Sequence, residues 1–212
     1  MEMPTKDEVQ KALELRHGAE LQRKFSGATV AVCGLGGLGS NIAIALARAG
    51  VGKLILIDFD RVDLTNLNRQ QYAVSQLGQE KAVALKDILK AVAPYIEVKS
   101  HSVRVTENNL AELLSMADVI CEAFDRAEEK AMLVNGVLEQ LPEKFLVAGS
   151  GMAGIGSANS IKTRRVTKHF YLCGDGVSDS AETGGLFAAR VMVCAAHQAH
   201  MVLRLLAGEE EP

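Results

Sequence analysis

Residues 28–40 read Ala28-Thr-Val-Ala-Val-Cys-Gly34-Leu-Gly36-Gly37-Leu-Gly39-Ser40. The apolar run Ala28–Cys33, rich in β-branched residues, predicts a short buried strand. It passes directly into a glycine turn of the form Gly-x-Gly-x-x-Gly, set by Gly34, Gly36 and Gly39. An alanine-rich helix follows over Ser40–Ala49 and stops at Gly50. This order of strand, glycine turn and helix brings backbone N–H groups and the positive end of a helix up to a phosphate. A second buried strand, Lys53–Ile57, ends on Asp58, nineteen residues after Gly39. A carboxylate there accepts hydrogen bonds from both hydroxyls of a ribose. Together these features indicate a nucleotide with a ribose, and nothing more specific.

Working outward, residues 7–25 place Val9, Ala12, Leu13, Leu15 and Leu21 among charges at helical spacing. They read as one amphipathic helix or two short ones broken at Gly18, with Leu13, Leu15 and Leu21 as an exposed apolar stripe. Downstream, Asp60–Tyr72 is polar and irregular. Helices are expected at Gln79–Ala93, Glu107–Ser115 and Ala127–Glu139, and strands at Glu97–Val103, Asp118–Ala123 and Phe145–Ala148. Ala158–Thr163 and His169–Leu172 read as two more strands, antiparallel to each other, and Leu186–Leu206 as a long helix. Strand and helix alternate through the first 150 residues, which argues for a parallel sheet covered on both faces. The expected architecture is α/β, a Rossmann-like doubly wound and mainly parallel sheet with antiparallel C-terminal strands. It comprises an N-terminal helical segment, 1–26, and a single domain, 27–212.

With 212 residues, 48% apolar and 23% charged, the chain suits one soluble domain that needs neither disulfide nor metal to hold its core. A formal net charge of −3 gives no reason to expect a nucleic-acid partner. The cysteines at 33, 121, 173 and 194 form no Cys-x-x-Cys pair, so no zinc is expected. Cys33 and Cys121 fall in apolar strands, the habit of free thiols in a reducing cytosol. The N-terminal residues lack a signal-peptide layout and no run of eighteen apolar residues exists, so a cytoplasmic protein with no membrane span is expected.

After Asp58-Phe-Asp60 come Asn66-Leu-Asn68-Arg69-Gln70 and then Gly78-Gln-Glu-Lys81. A plain dinucleotide-binding domain needs none of these. Arg69 and Lys81 supply two fixed cations, the groups that stabilise negative charge building on phosphoryl oxygens. Asp125, at the end of the fourth strand, reads as a Mg²⁺ ligand or as the N-cap of the next helix. His197 and His200, three apart on the last helix, read as packing residues before they read as a metal site. The glycine-rich run Gly149–Gly156 reads as a path for an extended Gly-Gly tail or as a flexible connection.

These motifs together resemble the ThiF/MoeB/HesA group of the ubiquitin-activating superfamily, and within it the short ThiF-like proteins. The resemblance rests on Gly34–Ser40, Gly50-Val-Gly-Lys with Asp58-Phe-Asp60, and Asn66–Gln70, over residues 26 to 150. Gly149–Gly154 and Ser160-Ile-Lys-Thr-Arg-Arg165 resemble the short branch in particular. The resemblance implies ATP-dependent adenylation of the terminal glycine carboxylate of a ubiquitin-fold sulfur carrier such as ThiS, with release of pyrophosphate, in thiamin thiazole synthesis. It implies a homodimer in which an arginine of the N-terminal helix reaches the phosphates of the other subunit, Arg16 being the nearest candidate and Arg23 the next. It implies nucleotide contacts at Gly34, Gly36, Gly37, Gly39, Asp58, Asp60, Asn66, Asn68, Arg69 and Lys81, and Mg²⁺ at Asp125. Three departures stand out: there are no Cys-x-x-Cys pairs, Cys173 is the one cysteine in the region of a reactive thiol, and Arg126 stands where the family often has Asn. Alternatives are an activating relative acting on a molybdopterin carrier or a modified tRNA adenosine, an NAD-dependent oxidoreductase, and an inactive half of a heterodimer.

Overall fold

The computed structural model describes residues 3–212. Met1 and Glu2, which open the stretch without a signal-peptide layout, lie outside the described residues. Seven short strands form one sheet: β1 (Thr29–Cys33), β2 (Lys53–Ile57), β3 (Glu97–His101), β4 (Val119–Glu122), β5 (Phe145–Gly149), β6 (Lys162–Arg165) and β7 (Phe170–Gly174). Their order is β3-β2-β1-β4-β5-β7-β6. Every pairing is parallel except β6 with β7. The chain winds from β1 outward through β2 and β3, then returns to build β4 and β5 on the other side. That reversal beside β1 is where open α/β sheets bind ligands.

Both faces are covered, which is why β1 carries apolar residues without alternation. Val30 and Val32 point into one core layer, with residues of α3 (Gly37–Arg48), α4 (Lys81–Val92) and α7 (Ala188–Ala207). Ala31 and Cys33 point into the other, against α5 (Leu110–Leu114) and α6 (Ala127–Gln140). Among the described residues, no helix is long and apolar enough to cross a membrane.

The N-terminal helices are α1 (Lys6–His17), closed by a Thr5–Glu8 capping box, and α2 (Ala19–Gly27), and they break at Gly18. The expected apolar stripe is not there. Leu15 is 83% exposed, but Leu13 and Leu21 are half-buried against their own chain. The physical cause is that α1 packs back on α2 and sends Leu13 toward Gly50.

Among the expected boundaries that move, two have a clear local cause. The helix expected from Ser40 begins at Gly37, because the Ser40 N–H already donates to the Gly36 carbonyl at 3.1 Å, so the glycine turn is itself the first helical turn. The strand expected over Ala158–Thr163 is a 3₁₀ turn at Ala158–Ser160 followed by β6. Ser157 Oγ accepts from the Asn159 N–H and Ser160 Oγ donates to the Ser157 carbonyl, local bonds that compete with a sheet ladder.

Candidate nucleotide-binding site

A cleft of about 640 Å³ opens where β1, β2, β4 and β5 end. Its floor is the glycine turn. Gly34 has φ +87°, and a Cβ there would lie 2.7 Å from the Ala123 carbonyl oxygen, so only glycine lets the ends of β1 and β4 meet. Gly39 does not line the cleft. A Cβ on it would sit 1.8 Å from the Gly34 carbonyl oxygen, so its part is to let α3 close on the turn. The N-cap of α3 is Gly36, which has no side chain to cap the helix, and the first-turn N–H groups stay open toward the cleft.

Asp58 is buried at the end of β2, 7% exposed. Its Oδ2 accepts from the Leu35 N–H at 2.7 Å and its Oδ1 from the Asp60 N–H at 2.8 Å, so it holds the glycine turn in place. Burial raises its pKa above the usual aspartate value, while Lys81 and the two N–H groups pull the other way. Each oxygen retains a lone pair for a hydroxyl. Lys81, the first residue of α4, is 6% exposed and pairs with Asp60 Oδ2 at 3.0 Å.

The irregular stretch after β2 is built from local bonds. Asp63 caps a 3₁₀ turn at Leu64–Asn66, and the Asn66 carbonyl accepts from the N–H groups of Arg69 and Gln70. This brings Asn66, Arg69 and Gln70 to the cleft. Arg69 Nη1 folds back on the Thr65 carbonyl at 3.2 Å and on Asn68 Oδ1 at 2.8 Å. Gln70 is buried, and its Oε1 has no hydrogen-bond partner, an orphaned acceptor in the cleft wall that a bound ligand or water would satisfy. Asn68 does not line the cleft. Its Nδ2 donates to the Leu186 carbonyl at 3.1 Å, bracing the loop before α7.

Asp125 and Arg126 follow β4, exposed and lining the cleft. The N-cap of α6 is Arg126 and has no side-chain cap bond, so Asp125 does not cap that helix. Among the described residues no group of three or more potential ligands gathers. A single carboxylate still suits Mg²⁺, which takes one or two protein oxygens and fills its shell with phosphate and water. Arg16 and Arg23 are exposed on α1 and α2 and do not line the cleft of their own chain.

Some features of the site had no expectation attached. Glu122, the last residue of β4, is fully buried. Its Oε2 pairs with Lys130 Nζ at 2.5 Å, and Lys130 also donates to the Gly149 carbonyl at 2.7 Å, tying β4 to β5 under the cleft. The signal was a charge closing the apolar run Val119-Ile-Cys-Glu122. Arg104 stacks over the Phe59 ring at 4.0 Å and pairs with Glu129 at the rim; no motif marked it. Cys173 lies in β7 rather than in a loop. It is fully buried, and burial pushes its thiol up to about 11, so it is not a reactive thiolate. His197 Nδ1 pairs with Thr163 Oγ1 at 3.0 Å.

Comparison with known proteins places the fold and the sequence among named relatives. The chain is 35% identical to the adenylyltransferase and sulfurtransferase MOCS3 of Culex quinquefasciatus over 136 residues, covering 64% of this chain and 31% of that protein. It is 37% identical to the sulfur carrier protein adenylyltransferase of Thermus thermophilus over 109 residues, covering 51% of this chain and 40% of that one. The chain thus matches 31% to 40% of the length of these curated relatives. Its fold matches the crystal structure of E. coli tRNA threonylcarbamoyladenosine dehydratase, TcdA, in complex with ATP, with a TM-score of 0.85, 21% identity and 98% of each chain covered. The ThiF family model matches residues 10–212, and the chain belongs to the ThiF family.

Proposed function

We propose that this chain is an adenylyltransferase that joins AMP from ATP to the C-terminal carboxylate of a ubiquitin-fold sulfur carrier ending in Gly-Gly. The observation that carries the reading is convergence. Two cations, Arg69 and Lys81, share one cleft with the Asp58 carboxylate, an uncapped helix N-terminus and Asp125. A hydride-transferring enzyme would use the glycine turn, the helix N-terminus and Asp58 but has no need of Arg69, Lys81 and Asp125. Relatives named for adenylation of sulfur carriers add support.

In this reading the adenosine ribose bonds to Asp58. The N–H groups at the start of α3 receive phosphate oxygens, with Gly34, Gly36 and Gly37 allowing close approach. Lys81, now balanced by Asp60, turns to the phosphates, and Arg69 leaves its carbonyl partner for them. Asn66 contacts them from the same turn. The carrier's carboxylate oxygen attacks the α-phosphorus, the bond to the β-phosphate oxygen breaks, and pyrophosphate leaves with the electron pair. Arg69 and Lys81 oppose the charge that builds on the phosphoryl oxygens. Asp125 would hold Mg²⁺, which when bound neutralises pyrophosphate. No thiol is needed, consistent with the burial of all four cysteines, none of which is in a disulfide.

The finer reading is a ThiS-like carrier and a role in thiamin thiazole synthesis, in the cytoplasm, where thiols stay reduced. The active form in this reading is a homodimer, with Arg16 completing the phosphate site across the interface. Intact-mass spectrometry of a Gly-Gly carrier incubated with the protein, ATP and Mg²⁺ tests the chemistry. A carrier heavier by one AMP supports it. An unmodified carrier together with tight NADH binding overturns it.

A further inference from the structure

Arg190 sits in the first turn of α7, a helix otherwise apolar at its start, and is only 7% exposed. Every one of its guanidinium N–H groups has an acceptor. Nε donates to the Ala153 carbonyl at 3.0 Å, and Nη1 to the carbonyls of Gly156 and Ser157 at 2.7 and 2.6 Å. Nη2 donates to Ser160 Oγ at 3.1 Å and to Asp175 Oδ2 at 2.6 Å. Five donors in a fixed planar fork meet five acceptors, a task lysine cannot perform.

The acceptors lie on two segments, the loop after β5 and the loop after β7. These are joined directly as well. The Asp175 N–H donates to the Gly151 carbonyl at 2.9 Å, the Gly176 N–H to the Ser150 carbonyl at 3.0 Å, and the Ala153 N–H to Ser178 Oγ at 3.0 Å. Asp175 Oδ1 accepts from the N–H groups of Val177 and Ser178 at 2.9 and 2.8 Å. Burial works against the Asp175 charge, but these N–H groups, the Ser178 hydroxyl and Arg190 outweigh it and hold the carboxyl at about 2. Asp175 therefore keeps its charge against Arg190 across the neutral range.

The same two loops furnish cleft wall, at Ser150–Ala153 and at Ser178–Ser180. Arg190 itself does not line the cleft, and the glycine turn, Asp58 and Lys81 share no hydrogen bond with it. We propose that Arg190 is a positioning residue, which through Asp175 locks these two loops into the wall that seats the carboxylate-bearing tail of the substrate. Nucleotide binding is left to the other elements. This rests on the adenylation reading above.

The test is pyrophosphate exchange at saturating ATP, titrated with a recombinant ubiquitin-fold carrier ending in Gly-Gly, beside calorimetric binding of a non-hydrolysable ATP analogue. Arg190→Lys keeps the charge and loses the fork. It should lower kcat/KM for the carrier by about 10²-fold while the analogue's Kd moves by no more than about threefold, since misplacement remote from the chemistry costs turnover before nucleotide affinity. Ser178→Ala, a mild change at the rim, should act in the same direction by about tenfold. Amide exchange of residues 150–157 and 176–178, read without ligand, should speed up in Arg190→Lys. Wild-type kcat/KM in Arg190→Lys, unchanged amide exchange, or an equal loss of analogue affinity in both variants overturns the proposal. Exchange absent from the wild type with every carrier tried instead sinks the adenylation reading and the positioning role together, and the amide-exchange arm still reports whether the clasp exists.

Discussion

Replacing Lys130 with Met should destabilise the fold through Glu122. The Glu122 carboxylate is fully buried, and Lys130 Nζ at 2.5 Å is its one cationic partner among the described residues. After the substitution Oε1 keeps the Phe124 N–H at 2.8 Å and the Gly149 N–H still faces the carboxylate, but no cation balances it. Breaking a buried pair on one side costs about 3–5 kcal/mol. The lower end applies here, because the Lys130 side chain is 25% exposed and solvent already screens it. About 3 kcal/mol corresponds to a fall in Tm of roughly 6–12 °C for a chain of this size. The sign of the pH dependence follows from the raised pKa of Glu122, caused by burial and opposed by Lys130. A carboxyl that binds its proton more tightly when folded favours the fold at low pH and loses that contribution as pH rises. Without Lys130 the loss deepens, so the deficit of the variant should shrink as pH falls from about 7 toward the ordinary glutamate value of 4.5. The double variant Glu122→Gln/Lys130→Met should recover most of the loss, since a neutral amide is cheaper to bury than an unpaired carboxylate. Urea and thermal denaturation at two pH values measure all three proteins. A loss under about 1 kcal/mol, or a double variant less stable than Lys130→Met, refutes the reasoning.

Arg69→Ala and Lys81→Ala should each slow adenylation by at least about 10²-fold, with a smaller loss of ATP affinity, as removal of one preorganised charge does; wild-type exchange rates in both would remove these residues from the phosphate site. Asp125→Asn should abolish pyrophosphate exchange and leave the thermal transition unchanged, because the side chain is exposed and caps no helix; activity that persists across a Mg²⁺ titration counts against the metal assignment. Cys173→Ser should leave exchange unchanged, since the thiol is buried and protonated near neutral pH; lost exchange with an intact fold would assign thiol chemistry to this chain.

The centre of the sheet was legible because β1, β2, β4 and β5 are apolar runs that end at glycine or a carboxylate, and because Gly34–Ser40 marks the start of a strand–helix unit. The cleft was legible for the same reason, since Asp58, Asn66, Arg69, Lys81 and Asp125 all follow strand ends or their loops. What escaped was set by tertiary partners. Nothing near Arg190 in sequence hints that its five acceptors lie up to 37 residues away. Leu13, read as exposed, found Gly50 to pack on. Asn68 sits inside the Asn66–Gln70 motif, yet the turn after Asp63 aims it at Leu186 instead of the cleft. The 158–163 segment looked extended, and the hydroxyls of Ser157 and Ser160 bent its first half.

The central claim is carboxylate activation by ATP, and carrier-dependent exchange of labelled pyrophosphate into ATP measures it most directly. Exchange should require the protein, Mg²⁺ and a ubiquitin-fold carrier ending in Gly-Gly, and should vanish when the terminal carboxylate is converted to an amide. Exchange that proceeds equally well with the amidated carrier, or none with any carrier while NADH binds tightly in the same cleft, contradicts the account.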